Sequence, residues 1–364
     1  MAVPTKAFSR ALQGRGWVKA MDYVMLGNSG LSVSRLALGA MTFTDGNRSM
    51  ASINKVDQKL ADSMIGCARD SGVNFFDTAD VYDRGESEVV LGRALKGCRN
   101  EVVIATKVGL RTGRALTQAG LSRRHIIQSI DDSLKRLDTD WIDVYLAHKY
   151  DSLTPLEETL AAFDAVVCSG KVRYIAFSNW PAWAAAAALE MQRTHHWAPF
   201  SHGQMHFSLL GRDIERDMIP MMQRYRLGLT VWSPLAFGFL SGKFTRESLK
   251  SDGTRFAEND LLPFDKEQGF RLVEKIRSMA ERYAATIPQM ALAWLLGKEP
   301  VSSILLGATK LSQLSENLAA IKLRLSAEDM ASLDEATPLP PVYPYWFIDN
   351  FQDRPLQLAL RGGR

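Results

Sequence analysis

Four side chains that can move protons or hold charge stand at or near the ends of short apolar runs. Asp77, Lys107 and His148 each end such a run, and Tyr82 follows Asp77 by five residues. A phenol with its usual pKa of about 10 is a poor acid at neutral pH, but an adjacent ammonium group lowers that pKa. We therefore expect Lys107 to tune Tyr82, and Asp77 to hold the lysine. His148 would hydrogen-bond the phenol or orient a carbonyl oxygen, so that Tyr82 becomes a general acid for a developing alkoxide.

Each of these residues taken singly has a more ordinary explanation. An aspartate at a strand end is usually a turn or cap residue, a lysine there is usually solvated, and a lone histidine is more often structural. Their joint occurrence in four suitable places favours a function. The pattern contains no pair of nucleophile and base, no metal-ligand spacing and no paired carboxylates of a glycosidase.

The elements that would position these residues alternate along the chain. Segments with helical period separate β-rich runs, which predicts parallel strands with crossovers. A doubly wound sheet and a closed barrel both satisfy this pattern, but the number of runs favours a (β/α)8 barrel, and the first run leads to GAMTFTDGNRS rather than G-x-G-x-x-G. The carboxyl ends of barrel strands converge on one site. The eight predicted strands are 36–41, 73–77, 102–107, 142–148, 172–178, 200–205, 228–233 and 301–307.

Local signals refine this outline. Residues 23–33 read as a hairpin with its turn near Asn28, placed to plug the floor of the barrel. Ser122 is a predicted N-cap, and Thr154 with Pro155 predicts a cap and a first-turn proline. The segment 237–265 is too long for an ordinary βα loop, and loops of this length are usually functional or disordered.

Composition sets the remaining bounds. The 364 residues are 46% hydrophobic and 23% charged with a net charge of +4, which fits a globular chain and gives no footprint of nucleic-acid binding. No run reaches the roughly 20 apolar residues of a membrane span. Three widely spaced cysteines fit neither a disulfide framework nor a metal site, so a reducing cytoplasm is the simplest compartment.

We expect a disordered leader or tag at 1–20, a single barrel domain over 21–336, and a tail at 337–364 that packs on the barrel.

Several motifs together identify a family resemblance. FFDTADVYDRGESEVVLGRAL, ATK, RLDTDWIDVYLAH, FSNW, VWSPLAFGFLSGK and LGATKLSQLSENL, in this order over about residues 21–321, resemble the aldo-keto reductase superfamily. The WSPLAFGFLSGK segment looks most like the bacterial reductases and the potassium-channel β-subunits. The resemblance implies a (β/α)8 barrel that binds NADP(H) without a Rossmann domain. It also implies that Asp77, Tyr82, Lys107 and His148 form the family's catalytic tetrad.

The resemblance further implies a set of cofactor contacts. Ser178, Asn179 and Gln204 would bind the carboxamide, Trp232 would stack on the nicotinamide, and Arg255 would close over the nucleotide. The pyrophosphate would lie along Ser233, Pro234, Leu235, Ala236, Gly238 and Lys243. The adenosine and its 2′-phosphate would lie against Gly307, Thr309, Lys310, Gln313, Glu316 and Asn317, and Met41 and Asp77 complete the set. Alternatively, Trp232 is a core residue and GATK is merely a helix start.

Two segments depart from the family's pattern. HKYD follows the fourth strand where relatives more often have HWPD or HRWD, so Lys149 and Tyr150 are expected to reshape the pocket rim. QMHFS carries Phe207 where many relatives have tyrosine. Both departures concern the substrate rather than the tetrad.

The resulting hypothesis is a cytoplasmic NADPH-dependent reductase of aldehydes or ketones, reversible toward alcohol oxidation. One alternative is a redox-sensing module like the channel β-subunits, although those relatives typically lack the tetrad histidine that His148 supplies here. Another is an isomerase or aldolase with Lys107 as a Schiff base, which would need a depressed lysine pKa. The sequence does not define the oligomeric state.

Overall fold

The structure is a computed structural model that describes residues 21–251, 254–258 and 260–361. The predicted leader at 1–20 lies outside the described residues. The chain opens with an antiparallel hairpin of β1 (Tyr23–Met25) and β2 (Ser32–Ser34), which confirms the predicted hairpin.

A glycine in its turn allows the hairpin to lie against the bottom of the barrel. Gly27 has a φ of +60°, and a Cβ placed there would lie 2.1 Å from the carbonyl oxygen of Ser201 and 2.3 Å from the amide nitrogen of Gly228. Only glycine allows so close an approach of two backbones. The neighbouring Leu26 is fully buried, so the hairpin covers the barrel floor as predicted.

Eight parallel strands close the barrel. Each strand pairs with the next one along the chain, and the last closes the ring on the first, which confirms the (β/α)8 prediction and excludes a doubly wound sheet. The strands are β3 (Leu36–Gly39), β4 (Phe75–Asp77), β5 (Val103–Val108), β6 (Ile142–Ala147), β7 (Val172–Ser178), β8 (Phe200–His206), β9 (Gly228–Trp232) and β10 (Val301–Leu306).

Helices surround the barrel and continue into the C-terminal segment. The described α-helices are α1 (Gln58–Asp70), α2 (Glu86–Leu95), α3 (Arg123–Leu137), α4 (Leu156–Cys168), α5 (Ala182–His195), α6 (Met218–Tyr225), α7 (Arg255–Glu258), α8 (Lys266–Arg282), α9 (Ile287–Leu296), α10 (Leu311–Leu318), α11 (Ala327–Ala336), α12 (Tyr345–Asn350) and α13 (Arg354–Arg361). Within the described ranges, no helix has the length and apolar character needed to cross a membrane.

Helix caps follow the sequence signals with one exception. Ser122 caps α3 by accepting a hydrogen bond from the amide of His125, as predicted. The predicted cap at Thr154 is wrong by one residue, because α4 begins after Pro155. The Thr154 hydroxyl instead donates to Asp151 Oδ2 at 2.7 Å.

The alternation of side chains along the strands decides what reaches the barrel interior. Phe75, Val103 and Ala105 belong to an interior apolar cluster that also contains Leu26 of the hairpin. Successive residues of a strand point to opposite faces, so Lys107 continues the inward row of β5. The apolar layers fill the lower barrel and leave the charged residues at its carboxyl end.

The C-terminal segment is attached to the barrel at its beginning. The guanidinium of Arg212 donates to the carbonyl oxygen of Thr337 at 3.1 Å, and that of Arg216 donates to the carbonyl of Pro340. Farther along, Phe347 and Phe351 of the α12 region are largely exposed.

Candidate active site

The four residues singled out by the sequence meet at the carboxyl end of the barrel. Asp77 is the last residue of β4, Lys107 is the penultimate residue of β5, and His148 directly follows β6. Tyr82 begins a short 3₁₀ turn of Tyr82–Gly85 beyond β4. The parallel register of these neighbouring strands brings the side chains to one place.

Lys107 is the centre of this group and is fully buried. Its ammonium group donates to Asp77 Oδ1 at 2.5 Å, to the carbonyl oxygen of Thr78 at 2.8 Å and to the Tyr82 hydroxyl at 3.2 Å. The same nitrogen lies 4.8 Å from the centroid of the Tyr82 ring. All three donor directions of the ammonium group therefore have an acceptor, which is what makes a buried lysine tolerable.

The electrostatics of this group confirm part of the expectation and correct another part. Burial alone would lower the pKa of Lys107, but attraction to Asp77 and Tyr82 outweighs it and raises the pKa, so the lysine stays charged. The prediction that the pKa of Tyr82 lies below its usual value is wrong. Burial raises the pKa of Tyr82 above its usual value, although the charge of Lys107 acts in the opposite direction. The phenol is consequently protonated at neutral pH.

His148 faces Tyr82 edge-on, with 5.7 Å between the ring centroids. Burial and then repulsion from Lys107 lower the pKa of His148 well below its usual range, so the imidazole is neutral. Its Nδ1 atom is buried and has no hydrogen-bond partner among the described residues. A neutral imidazole can exchange a hydrogen bond with a ligand oxygen only through an accessible ring nitrogen, which the buried Nδ1 is not.

A chain of hydrogen bonds connects Asp77 with Trp232 across the mouth of the barrel. Gln204 Nε2 donates to Asp77 Oδ2 at 2.8 Å, and the Ser178 hydroxyl donates to the carbonyl oxygen of Gln204 at 2.8 Å. Asn179 Nδ2 donates to the Ser178 oxygen, and Trp232 Nε1 donates to Asn179 Oδ1, both at 3.0 Å. The residues expected to bind a carboxamide and a nicotinamide ring thus form one continuous network.

This network borders a cavity of about 570 Å³. Tyr82 and His148 line it, while the Lys107 ammonium group lies beneath them. Most of the predicted cofactor residues line the same cavity, namely Met41, Asp77, Ser178, Asn179, Gln204, Trp232, Ser233, Pro234, Leu235, Gly238, Arg255, Gly307 and Asn317.

The remaining predicted cofactor residues lie near the cavity without lining it. Ala236 is buried, whereas Lys243 is exposed and its ammonium group lies close to Gly238. Lys310 is the N-cap residue of α10. The amide and hydroxyl of Thr309 lie 3.1 and 3.3 Å from Gln313 Oε1. Glu316 is in α10, where its carbonyl oxygen accepts a hydrogen bond from Gln289.

The long loop after β9 reaches across the cavity to the loop after β3. Glu258 of α7 accepts hydrogen bonds from the amide and the hydroxyl of Ser52. The Arg255 guanidinium lies 4.2 Å from the centroid of the Phe237 ring and 3.5 Å from the sulfur of Met41. The loop therefore forms a strap over this end of the barrel, with Arg255 on its inner side.

Sequence reasoning missed most of the apolar lining. Met50, Ile53, Leu110 and Leu261 line the cavity from loop positions outside the quoted motifs. Of the two departures from the family's pattern, Lys149 lines the cavity as expected. Tyr150 instead packs against Trp180 and Trp183, and Phe207 is buried against Trp294.

Comparison with known proteins agrees with this geometry. The family model described as Aldo/keto reductase family matches residues 35–338. A protein of Arabidopsis thaliana named probable voltage-gated potassium channel subunit beta is 36% identical over 315 residues, which cover 83% of this chain and 91% of the relative. A protein of Schizosaccharomyces pombe named putative voltage-gated potassium channel subunit beta is 36% identical over 342 residues, which cover 89% and 95% of the two chains. With the closed barrel, these matches show that the chain belongs to the aldo/keto reductase family.

Proposed function

We propose that this protein is an NADP(H)-dependent oxidoreductase that reduces an aldehyde or ketone to an alcohol. The reaction would consume the carbonyl compound, NADPH and a proton, and would yield the alcohol and NADP⁺. The observation that carries the proposal is the fully buried Lys107, bonded to both Asp77 and Tyr82 beneath a cavity that the phenol faces. Such a group supplies a proton at one fixed point.

The residues around the cavity fit a phosphorylated dinucleotide. Burial and the nearby charges of Lys55 and Lys310 lower the pKa of Lys243, which indicates several cations that face one another. Lys243, Lys310 and Arg255 have no carboxylate within 4.0 Å among the described residues. Uncompensated cations of this kind favour an anionic ligand.

The backbone after β9 supports the same assignment. Ser233, Ala236, Phe237 and Gly238 all have positive φ values between 48° and 86°. These left-handed residues turn the chain tightly against the cavity, which Ser233, Phe237 and Gly238 line, so that the backbone can approach a ligand closely. The amides of Ala236, Phe237 and Gly238 themselves bond within the turn. We assign Lys243 and Arg255 to the pyrophosphate and Thr309 and Lys310 to the 2′-phosphate.

The chain's own residues would act mainly on the proton. When bound, the nicotinamide would supply the hydride to the carbonyl carbon. Tyr82 holds the proton that the alkoxide oxygen requires, and Lys107 stabilises the phenolate that remains. Neutral His148, which lines the cavity, would orient the carbonyl oxygen through its other ring nitrogen, Nε2.

The alternative of a redox-sensing subunit draws on the names of the relatives in Arabidopsis thaliana and Schizosaccharomyces pombe. The presence of His148 beside Tyr82 favours turnover over sensing alone.

A Schiff-base mechanism is disfavoured, because the raised pKa of Lys107 keeps the amine protonated. The free thiols of Cys67, Cys98 and Cys168 support the proposed cytoplasmic location.

The test is transfer of deuterium from NADPH labelled at nicotinamide C4 to a panel of aldehydes, ketones and sugars. We expect a deuterated alcohol to form with at least one class of carbonyl compound, and NADH to be the poorer donor. NADPH binding without deuterium transfer to any compound of the panel would contradict the reductase proposal and support a sensor.

A further inference from the structure

The order of the strands divides the cavity into two halves. The loops after β7 to β10 carry nearly all residues that we assign to the cofactor. The loops after β3 to β6 carry Tyr82 and His148, so a carbonyl group must approach the proton donor from this second half. The residues of the second half therefore select the substrate.

The walls of this second half are mainly apolar. Met50 and Ile53 come from the loop after β3, Val81 from the loop after β4, and Leu110 from the loop after β5. Leu261 of the strap joins them and is 65% exposed. Such a wall fits an alkyl or aryl body attached to the carbonyl group.

The acidic side chains of this half are already satisfied. Asp83 lines the cavity, but its carboxylate accepts from the amides of Arg48 at 3.2 Å and Ser49 at 2.7 Å, and the residue is almost fully buried. The carboxylate of Asp77 is bonded to Lys107 and Gln204. The charge of Asp77 is therefore offset by Lys107, whereas Asp83 stays an anion whose oxygens are held by amides of the loop after β3.

A cation at the rim forms no ion pair within the described ranges, although the charge of Asp151 two residues along attracts it. Lys149 directly follows His148, lines the cavity and is exposed, and no carboxylate lies within 4.0 Å of its ammonium group in the part of the chain that the structure describes. The cavity entrance thus combines an apolar wall with a positive charge.

The backbone that carries Lys149 is fixed on its far side. Tyr150 packs edge-on against Trp180 and Trp183, with ring centroids 5.5 and 5.6 Å apart. Asp151 accepts from the amide of Leu121 at 2.7 Å and so ties this rim to the loop after β5. Lys149 can therefore place its charge at the mouth without a change in the backbone.

We propose that the substrate of this site is a carbonyl compound with an apolar body and a carboxylate at its far end, and that Lys149 binds the carboxylate. This inference rests on the proposed reductase function. An exposed ion pair contributes little free energy, and salt screens it, so the preference for an anionic substrate is modest and falls with ionic strength.

The test compares 4-carboxybenzaldehyde with its methyl ester, a neutral aldehyde with the same ring but a more electron-withdrawing substituent. Because the ester is the more reactive aldehyde in itself, the readout is how the carboxylate-to-ester ratio of kcat/KM changes between variants. We expect this ratio to fall about threefold to fivefold in Lys149→Met at low salt, through a higher KM for the carboxylate alone, and to stay near the parent's in Lys149→Arg.

Lys96→Met is the matched control, because it removes the same charge from an exposed side chain that pairs with Asp138 away from the cavity. It should leave the ratio unchanged. A carboxylate-to-ester ratio in Lys149→Met equal to the parent's would overturn the assigned substrate class. If no carbonyl compound supports NADPH oxidation, the proposed reductase function itself is contradicted, and this inference, which rests on it, is contradicted too.

Discussion

Replacement of Tyr82 by phenylalanine isolates the proposed proton transfer. The substitution removes one hydroxyl and leaves a ring that can keep its edge-on contact with His148 and its place beside the Lys107 ammonium group. Lys107 loses its 3.2 Å contact but keeps Asp77 and the carbonyl oxygen of Thr78. We expect the free energy of unfolding to fall by only about 0.5–1.5 kcal/mol, the usual contribution of one hydrogen bond.

The catalytic loss should be much larger than the loss in stability. No other protonated side chain takes the place of the phenol, because His148 is neutral and Lys107 lies buried beneath the tyrosine. General acid catalysis typically contributes about 100- to 10,000-fold, so kcat for carbonyl reduction should fall by at least about 100-fold. Cofactor affinity should change little, since the hydroxyl belongs to the substrate half of the cavity.

The assay is steady-state NADPH oxidation beside a fluorescence titration of the cofactor. Tyr145→Phe is the matched control, because it removes the hydroxyl of another buried tyrosine that packs on Phe163 rather than lining the cavity. In the parent, reduction needs the protonated phenol, whose pKa is raised, so activity should be lost only as the pH rises above about 10. A Tyr82→Phe variant that keeps more than about a tenth of the parent's kcat would refute the assignment.

Three further substitutions probe the same site. Lys107→Met leaves the carboxylate of Asp77 buried without its cation, so the free energy of unfolding in urea should fall by about 3–5 kcal/mol, and an unchanged value would exclude a buried ion pair. Trp232→Ala should weaken NADPH binding in a fluorescence titration while thermal unfolding stays near the parent's, whereas equal affinity would make the indole a core residue. Lys310→Met should weaken NADPH more than NADH, and Lys322→Met, an exposed lysine outside the cavity, should affect neither. Equal losses of affinity for NADPH and NADH in Lys310→Met would contradict the assignment of Lys310 to the 2′-phosphate.

The fold and the central group could be predicted because their signals are local. Apolar runs that alternate with helical segments define the barrel, and residues at the strand ends, such as Asp77 and Lys107, must converge once the strands are parallel. The direction of the Tyr82 pKa shift could not be predicted, since it depends on how completely the loops bury the phenol. The same holds for the contact of Glu258 with Ser52, which joins two loops more than 200 residues apart.

The placement of the proton donor itself depends on a strained turn that a motif search passes over. Asp83, Arg84 and Gly85 follow Tyr82 with φ values of +46°, +58° and +93°, and two of these residues are not glycine. Each left-handed residue of this kind costs about 1–3 kcal/mol and persists only where its surroundings compensate. Here Asp83 binds the amides of Arg48 and Ser49, so the turn that holds the phenol also fixes the loop that forms the substrate wall. The proton donor and the apolar wall are therefore positioned by one structural element. A substitution in the apolar wall is expected to disturb the proton donor as well, whereas a substitution elsewhere on the rim, as at Lys149, can change the substrate preference and leave Tyr82 in place.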